Sequence, residues 1–350
     1  MYRVNDQILA YNQESLDTLA KAFYIDLKLL CNDNKAMMEK IRVDVLNNIK
    51  SFNIYKYNSG PISFEKDCLG YCTRDEDDKI ILNVYAKNDE KEDEIYVVYR
   101  MMHELFHCIQ AYFGDILYDN NIIDNNILTK PHFGGIYQED LNNSDNNNFY
   151  GVLFLETMVD MLCQLALTYN SKEESDYNKI LFTNIRYLFN SGYSKYIPLG
   201  RILMLACQNK PIDYNDSLEK GLLHSIIDKD NNINNEYMYG FIVDPLHFER
   251  YFDKYTSPGN FKFLCTKLDN MLEKNVISKN LIKYYLDTVY KFLDSKNYDL
   301  LLNKKINYDE YNELFLNFYN LYDKTLEFYG LNNSNGKLDS NKVLKKSRTS

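Results

Sequence analysis

The segment GVLFLETMVDML, residues 151–162, sets two carboxylates, Glu156 and Asp160, one helical turn apart inside an otherwise apolar run. A charge flanked by Leu153, Phe154, Leu155 and Val159 is expensive to bury unpaired. This helix can therefore enter a core only where another element brings positive charge or hydrogen-bond donors to the same face. A metal ion for Glu156, with a histidine N–H for Asp160, would satisfy both carboxylates.

The motif HELFH at residues 103–107 supplies such an element. Asp89 with Glu92 reads as a capping box, and the spacing predicts a helix over 90–113 that stops at Gly114. On that helix His103 and His107 share one face, so both imidazoles can address one ion. Glu104 is turned by about 100° from His103, beside the ion and within reach of a water. Zinc suits this donor set, acidifying water and polarising a carbonyl while a glutamate handles the proton. With 5 histidines in the whole chain, the pattern is improbable by chance.

A catalytic zinc takes a third protein ligand and keeps one position open. Glu156 is the first candidate, and His132, within the Asn-rich stretch between the two helices, is its rival. Polarised carbonyl oxygen also needs a donor. The run YMYGFIVDPLHFERY offers Tyr237, Tyr239, His247, Arg250 and Tyr251, with His247 the first choice by residue type. His224, in GLLHSII, reads as a packing residue of a helix.

HELFH followed by a helix bearing Glu156 and Asp160 resembles the gluzincin group of zinc metallopeptidases. That resemblance covers roughly residues 50–170. It implies two antiparallel helices, the first carrying two histidine ligands and the catalytic Glu104, the second carrying Glu156 as ligand and Asp160 as a buttress for a histidine. Two features depart from the group: the segment between His107 and Glu156 is longer than in its best-known members, and its common Asn-Glu dipeptide is Leu155-Glu156 here. The His-x2-Gly-x2-His extension of the metzincins is absent, since Gly114 falls one position late and no histidine follows it.

Around these motifs the periodicity implies an α+β fold. Apolar residues at helical spacing predict helices over 15–31 and 35–49. Runs rich in β-branched and aromatic residues predict strands over 52–57, 69–73 and 79–85, the last two joined through an acidic turn at 75–78. They form a small, mostly antiparallel sheet whose last strand could be the edge along which a peptide lies. A long irregular stretch should then separate HELFH from a helix over 150–169. Beyond it, helices are predicted over 177–189, 197–207, 261–272, 281–293 and 308–329. The chain divides accordingly into a zincin-like catalytic domain with N-terminal helices over 1–170, an α-helical domain completing the cleft over 171–331, and a disordered basic tail over 332–350.

A net charge of −10 disfavours attraction to nucleic acid or anionic lipid. The first residues lack the pattern of a secretory signal, and no stretch reaches the about 18 apolar residues of a membrane span. The 7 cysteines, an odd number in a long chain, suggest a reducing cytoplasm rather than a disulfide framework. Cys68 and Cys72, the closest pair, read as small packing residues. The expectation is a cytoplasmic zinc metallopeptidase acting on a peptide or protein. Its alternatives are a non-catalytic or regulatory zinc-binding helical interaction protein, or an intracellular toxin or effector metalloprotease.

Overall fold

The computed structural model describes residues 49–56, 70–77, 79–86, 94–112, 122–124, 127–132, 135–143, 148–169, 193–209, 211 and 245–331. The N-terminal helices expected over 15–31 and 35–48, the helix over 177–189, the boundary near 170–176 and the basic tail lie outside these residues. Ile49, expected to end a helix, opens a strand instead.

Strands β1 (Ile49–Lys56), β2 (Gly70–Arg74) and β3 (Ile80–Ala86) form one sheet in the order β1-β3-β2. In β3 the alternate residues Ile80, Leu82 and Val84 are buried, and so is Asn83 on the opposite face of this central strand. β2 and β3 are an antiparallel hairpin, Gly70 opposite Val84 and Arg74 opposite Ile80. The acidic turn forms because Asp75 Oδ1 accepts from the backbone N–H groups of Asp77 at 3.0 Å and Lys79 at 2.8 Å.

Two expectations change here. β1 pairs with β3 in parallel, so this sheet is mixed rather than mostly antiparallel. β3, flanked on both sides, is its centre, and among the described residues β2 is the edge next to the helix that follows. A parallel partner lies on the far side of a crossover, so no local turn signal could announce it.

Helix α1 (Glu94–Tyr112) packs on β2 and β3 and buries Met101, Met102, Leu105 and Phe106. The stretch expected to be irregular instead holds a second, antiparallel sheet: β4 (Ile122–Asp124), β5 (Ile127–His132), β6 (Gly135–Asp140) and β7 (Asn148–Tyr150), paired in chain order. Its strands are short and polar. Among the described side chains Ile136 and Tyr150 are buried, while Ile127 and Phe149 are 41% and 42% exposed, so apolar residues there do not mark one buried face.

Helix α2 (Val152–Tyr169) follows at once. Gly151, with φ 87°, takes a left-handed turn that disfavours other residues. The carboxylate of Asp269 then caps the helix start, accepting from Gly151 N at 2.6 Å and Leu153 N at 2.9 Å. A side chain distant in sequence thereby does the work of a helix cap.

The remaining described helices are α3 (Ile197–Cys207), entered by a 3-10 turn at Ser194–Tyr196, α4 (Pro245–Tyr255), α5 (Asn260–Glu273), α6 (Lys279–Leu302) and α7 (Tyr308–Phe328). Pro245 opens α4 at a position where its missing N–H does no harm. Asn307 and Glu310 close a capping box on α7. α2 packs against α1, α3 and α5, and one continuous apolar core runs from Ile80 of β3 to Tyr329 after α7. The architecture is α+β and predominantly helical. Among the described residues no helix is long and apolar enough to cross a membrane.

Asp269 gives this arrangement a measurable signature. Asp269→Ala would leave two helix N–H groups without acceptors and should lower unfolding free energy by about 1–3 kcal/mol in urea denaturation. Burial lifts the carboxyl of Asp269 from 3.8 to about 6 against the opposing pull of the capping N–H groups. Between those values the folded chain holds a proton that the unfolded chain releases, so the stability of the wild type relative to Asp269→Asn should decline as pH rises from about 4 to 6. Urea midpoints of the two proteins across that range check the sign.

Candidate metal centre

Helices are good platforms for a chelate because residues four apart stack on one face. On α1 the stripe is Tyr99, His103, His107; on α2 it is Glu156, Asp160. The two helices pack with these stripes in contact.

His103 lies between the two carboxylates. Its Nδ1 sits 2.9 Å from Asp160 Oδ1 and its Nε2 sits 2.9 Å from Glu156 Oε2. His107 Nε2 is 3.1 Å from His103 Nε2 and 3.3 Å from Glu156 Oε1. Asp160, 1% exposed, also accepts from the hydroxyl of Tyr99 at 2.5 Å. With Nδ1–H committed to Asp160, the lone pair of His103 Nε2 is turned toward His107 and Glu156.

His103, His107 and Glu156 thus form a group that could hold a metal ion, their ligand atoms all within 4.8 Å of one another. A tetrahedral ion with arms of about 2.0–2.1 Å separates its ligand atoms by about 3.3–3.4 Å. The 3.1 Å between His103 Nε2 and His107 Nε2 is close to that edge length, and Glu156 meets the two imidazoles through different carboxylate oxygens, Oε2 at 2.9 Å from His103 and Oε1 at 3.3 Å from His107. The donor set fits a divalent cation.

Electrostatics points the same way. Burial alone would depress both imidazoles, but Asp160 and Glu156 outweigh it and raise His103 well above its ordinary value, and Glu156 does the same for His107. Burial alone would raise Glu156, yet the two imidazoles hold it well below the usual carboxylate range. The carboxylates therefore create a place where positive charge is stabilised, whether carried by protons or by a cation.

Glu104 stands apart from this group. It is 7% exposed, and burial pushes its carboxyl up, an effect the neighbouring imidazoles only partly offset. Its carboxylate lies against Gly70 of β2, so closely that a Cβ at that position would come within 2.6 Å of Glu104 Oε1. Only a residue without a side chain lets the glutamate rest there.

His132 ends β5, paired with Gly135, and His247 lies in the first turn of α4; their side chains are outside the described set. Arg250 is exposed, while the ring of Tyr251 packs edge-on against Phe292 and Tyr255. Tyr237, Tyr239 and His224 lie outside the described residues. Two members of the constellation were not foreseen. Tyr99 carried a usable signal, being four residues before His103. Gly70 carried none, because its role depends on how a strand docks on a helix.

Comparison of the chain with protein-family models, curated protein sequences and solved structures gives no match in any of the three.

Protein purified without chelator should carry about one divalent ion per chain by elemental analysis, and His103→Ala or Glu156→Ala should abolish it. Asp160→Asn should weaken ion affinity by about 10–100-fold in a competition titration, because the imidazole loses the partner that orients it. Retention of the full ion complement by His103→Ala would exclude this centre.

Proposed function

We propose that this protein is a zinc-dependent peptide-bond hydrolase of the gluzincin type, in which Glu104 is the proton-transferring base. The observation that carries the reading is the convergence of three ligand groups from two helices, His103, His107 and Glu156, with a fourth ionisable group buried beside them but outside the ligand set. Two imidazoles and one carboxylate suit zinc among the common divalent ions. A zinc ion there would supply a Lewis acid and a water acidified toward neutrality.

The chain's own residues account for the rest. Asp160 fixes the His103 ring by its hydrogen bond to Nδ1, and Tyr99 fixes Asp160. Glu104, free of the ligand set, accepts a proton from the attacking water on a carboxylate oxygen and releases it to the departing amine nitrogen. Gly70 sets how near β2 that carboxylate can sit. Because β2 is the sheet edge beside Glu104, an extended peptide added to it would run past the base. That edge, open among the described residues, is what favours a peptide over other hydrolysable substrates.

Glu104→Gln should lower kcat on a peptide library by about 10²–10⁴-fold while zinc content stays at the wild-type level. Gly70→Ala, which forces Glu104 aside by a fraction of its length, should lower kcat by about 10–100-fold with zinc retained. A zinc-loaded wild type that cleaves no peptide, or an undiminished Glu104→Gln, refutes the reading.

A further inference from the structure

β2 docks along α1 in a two-rung register. A step of two residues on a strand advances about 6.8 Å and a step of four on a helix about 6.0 Å, so residues 70 and 72 can face residues 104 and 108 in turn. The first rung is Gly70 against Glu104. The second is Cys72 against Cys108, whose sulfur atoms lie 3.2 Å apart with neither residue in a disulfide. Cys72 is half-buried and Cys108 buried, so Cys72 is the more accessible residue of the two. Cys72 therefore meets a cysteine 36 residues away.

We propose that Cys72 and Cys108 are a dithiol oxidation site, closed to a disulfide by a small-molecule disulfide of the glutathione class, and that closure fastens the sheet edge to the helix that carries Glu104. The Cys72 sulfur, its proton released, attacks one sulfur of the oxidant, and one glutathione leaves as the oxidant's S–S bond breaks. Cys108, its proton likewise released, attacks the Cys72 sulfur of the mixed disulfide, and the second glutathione leaves. Two protein thiols are oxidised, one disulfide is reduced, and the two protons end on the two departing thiols. Forming the bond brings the sulfurs about 1.1 Å closer, to about 2.05 Å. That draws in the rung next to Gly70 and Glu104, where a displacement of about 1 Å is enough to impair catalysis.

The thiol site stands on its own geometry, whereas its effect on turnover rests on the proposed peptidase function. The full chain is equilibrated in reduced and oxidised glutathione, alkylated and digested with trypsin. The expected product joins peptide 67–74 to the peptide carrying Cys108, disappears with dithiothreitol, persists in Cys68→Ser and is lost in Cys72→Ser. Both thiols alkylated after oxidation, a stable glutathione adduct on Cys72, or a Cys68–Cys72 bond would each overturn the proposal. In the second arm, oxidised wild type should lose at least about tenfold in peptide turnover, reversibly, while Cys72→Ala responds equally with and without oxidant. A mapped Cys72–Cys108 bond with unchanged turnover overturns the coupling to Glu104. A mapped bond in a protein inactive in both states upholds the thiol site and refutes the peptidase reading instead.

Discussion

Everything in the centre depends on charge compensation between two helices that could not otherwise bury their polar faces. Glu156 and Asp160 sit in the more apolar of the two helices described in the N-terminal half, and His103 and His107 sit where those carboxylates come to rest. Remove the imidazoles and two carboxylates are stranded in a core; remove the carboxylates and two buried imidazoles lose what favours positive charge around them. The pairing of α1 with α2 and the ability to hold a cation are one property.

That centre is supported from two sides by parts of the chain with no ligand of their own. On one side the mixed sheet presses β2 against α1, through Gly70 and Cys72, so the position of Glu104 reflects the docking of a strand. On the other side α5 reaches the first turn of α2 through Asp269, one turn ahead of Glu156. Among its described residues, the helical half thus contributes to the centre by holding α2 in place.

What could be read from the amino acids follows this division. His103, Glu104, His107, Glu156 and Asp160 are legible because their relations are set by helical spacing and by the incongruity of charge within an apolar run. The hairpin of β2 and β3 is legible because Asp75 marks its turn. The β4–β7 sheet is not, since among its described side chains Ile127 and Phe149 are exposed while Ile136 and Tyr150 are buried. Nor are the contacts made across great chain separations: Asp269 caps a helix start 118 residues earlier, and β1 joins β3 past the whole of β2. Such pairings depend on which surfaces meet, and no local pattern encodes them.

The Asp269 cap also bears on the order in which the molecule is built. A ribosome releases α1 and α2 long before α5, so for much of synthesis the start of α2 has two N–H groups awaiting their acceptor. The helix that bears Glu156 is finished only when a segment far downstream folds onto it. A nascent chain therefore has its histidines early and a settled Glu156 late, a delay that postpones the assembled group of three until α5 has been made.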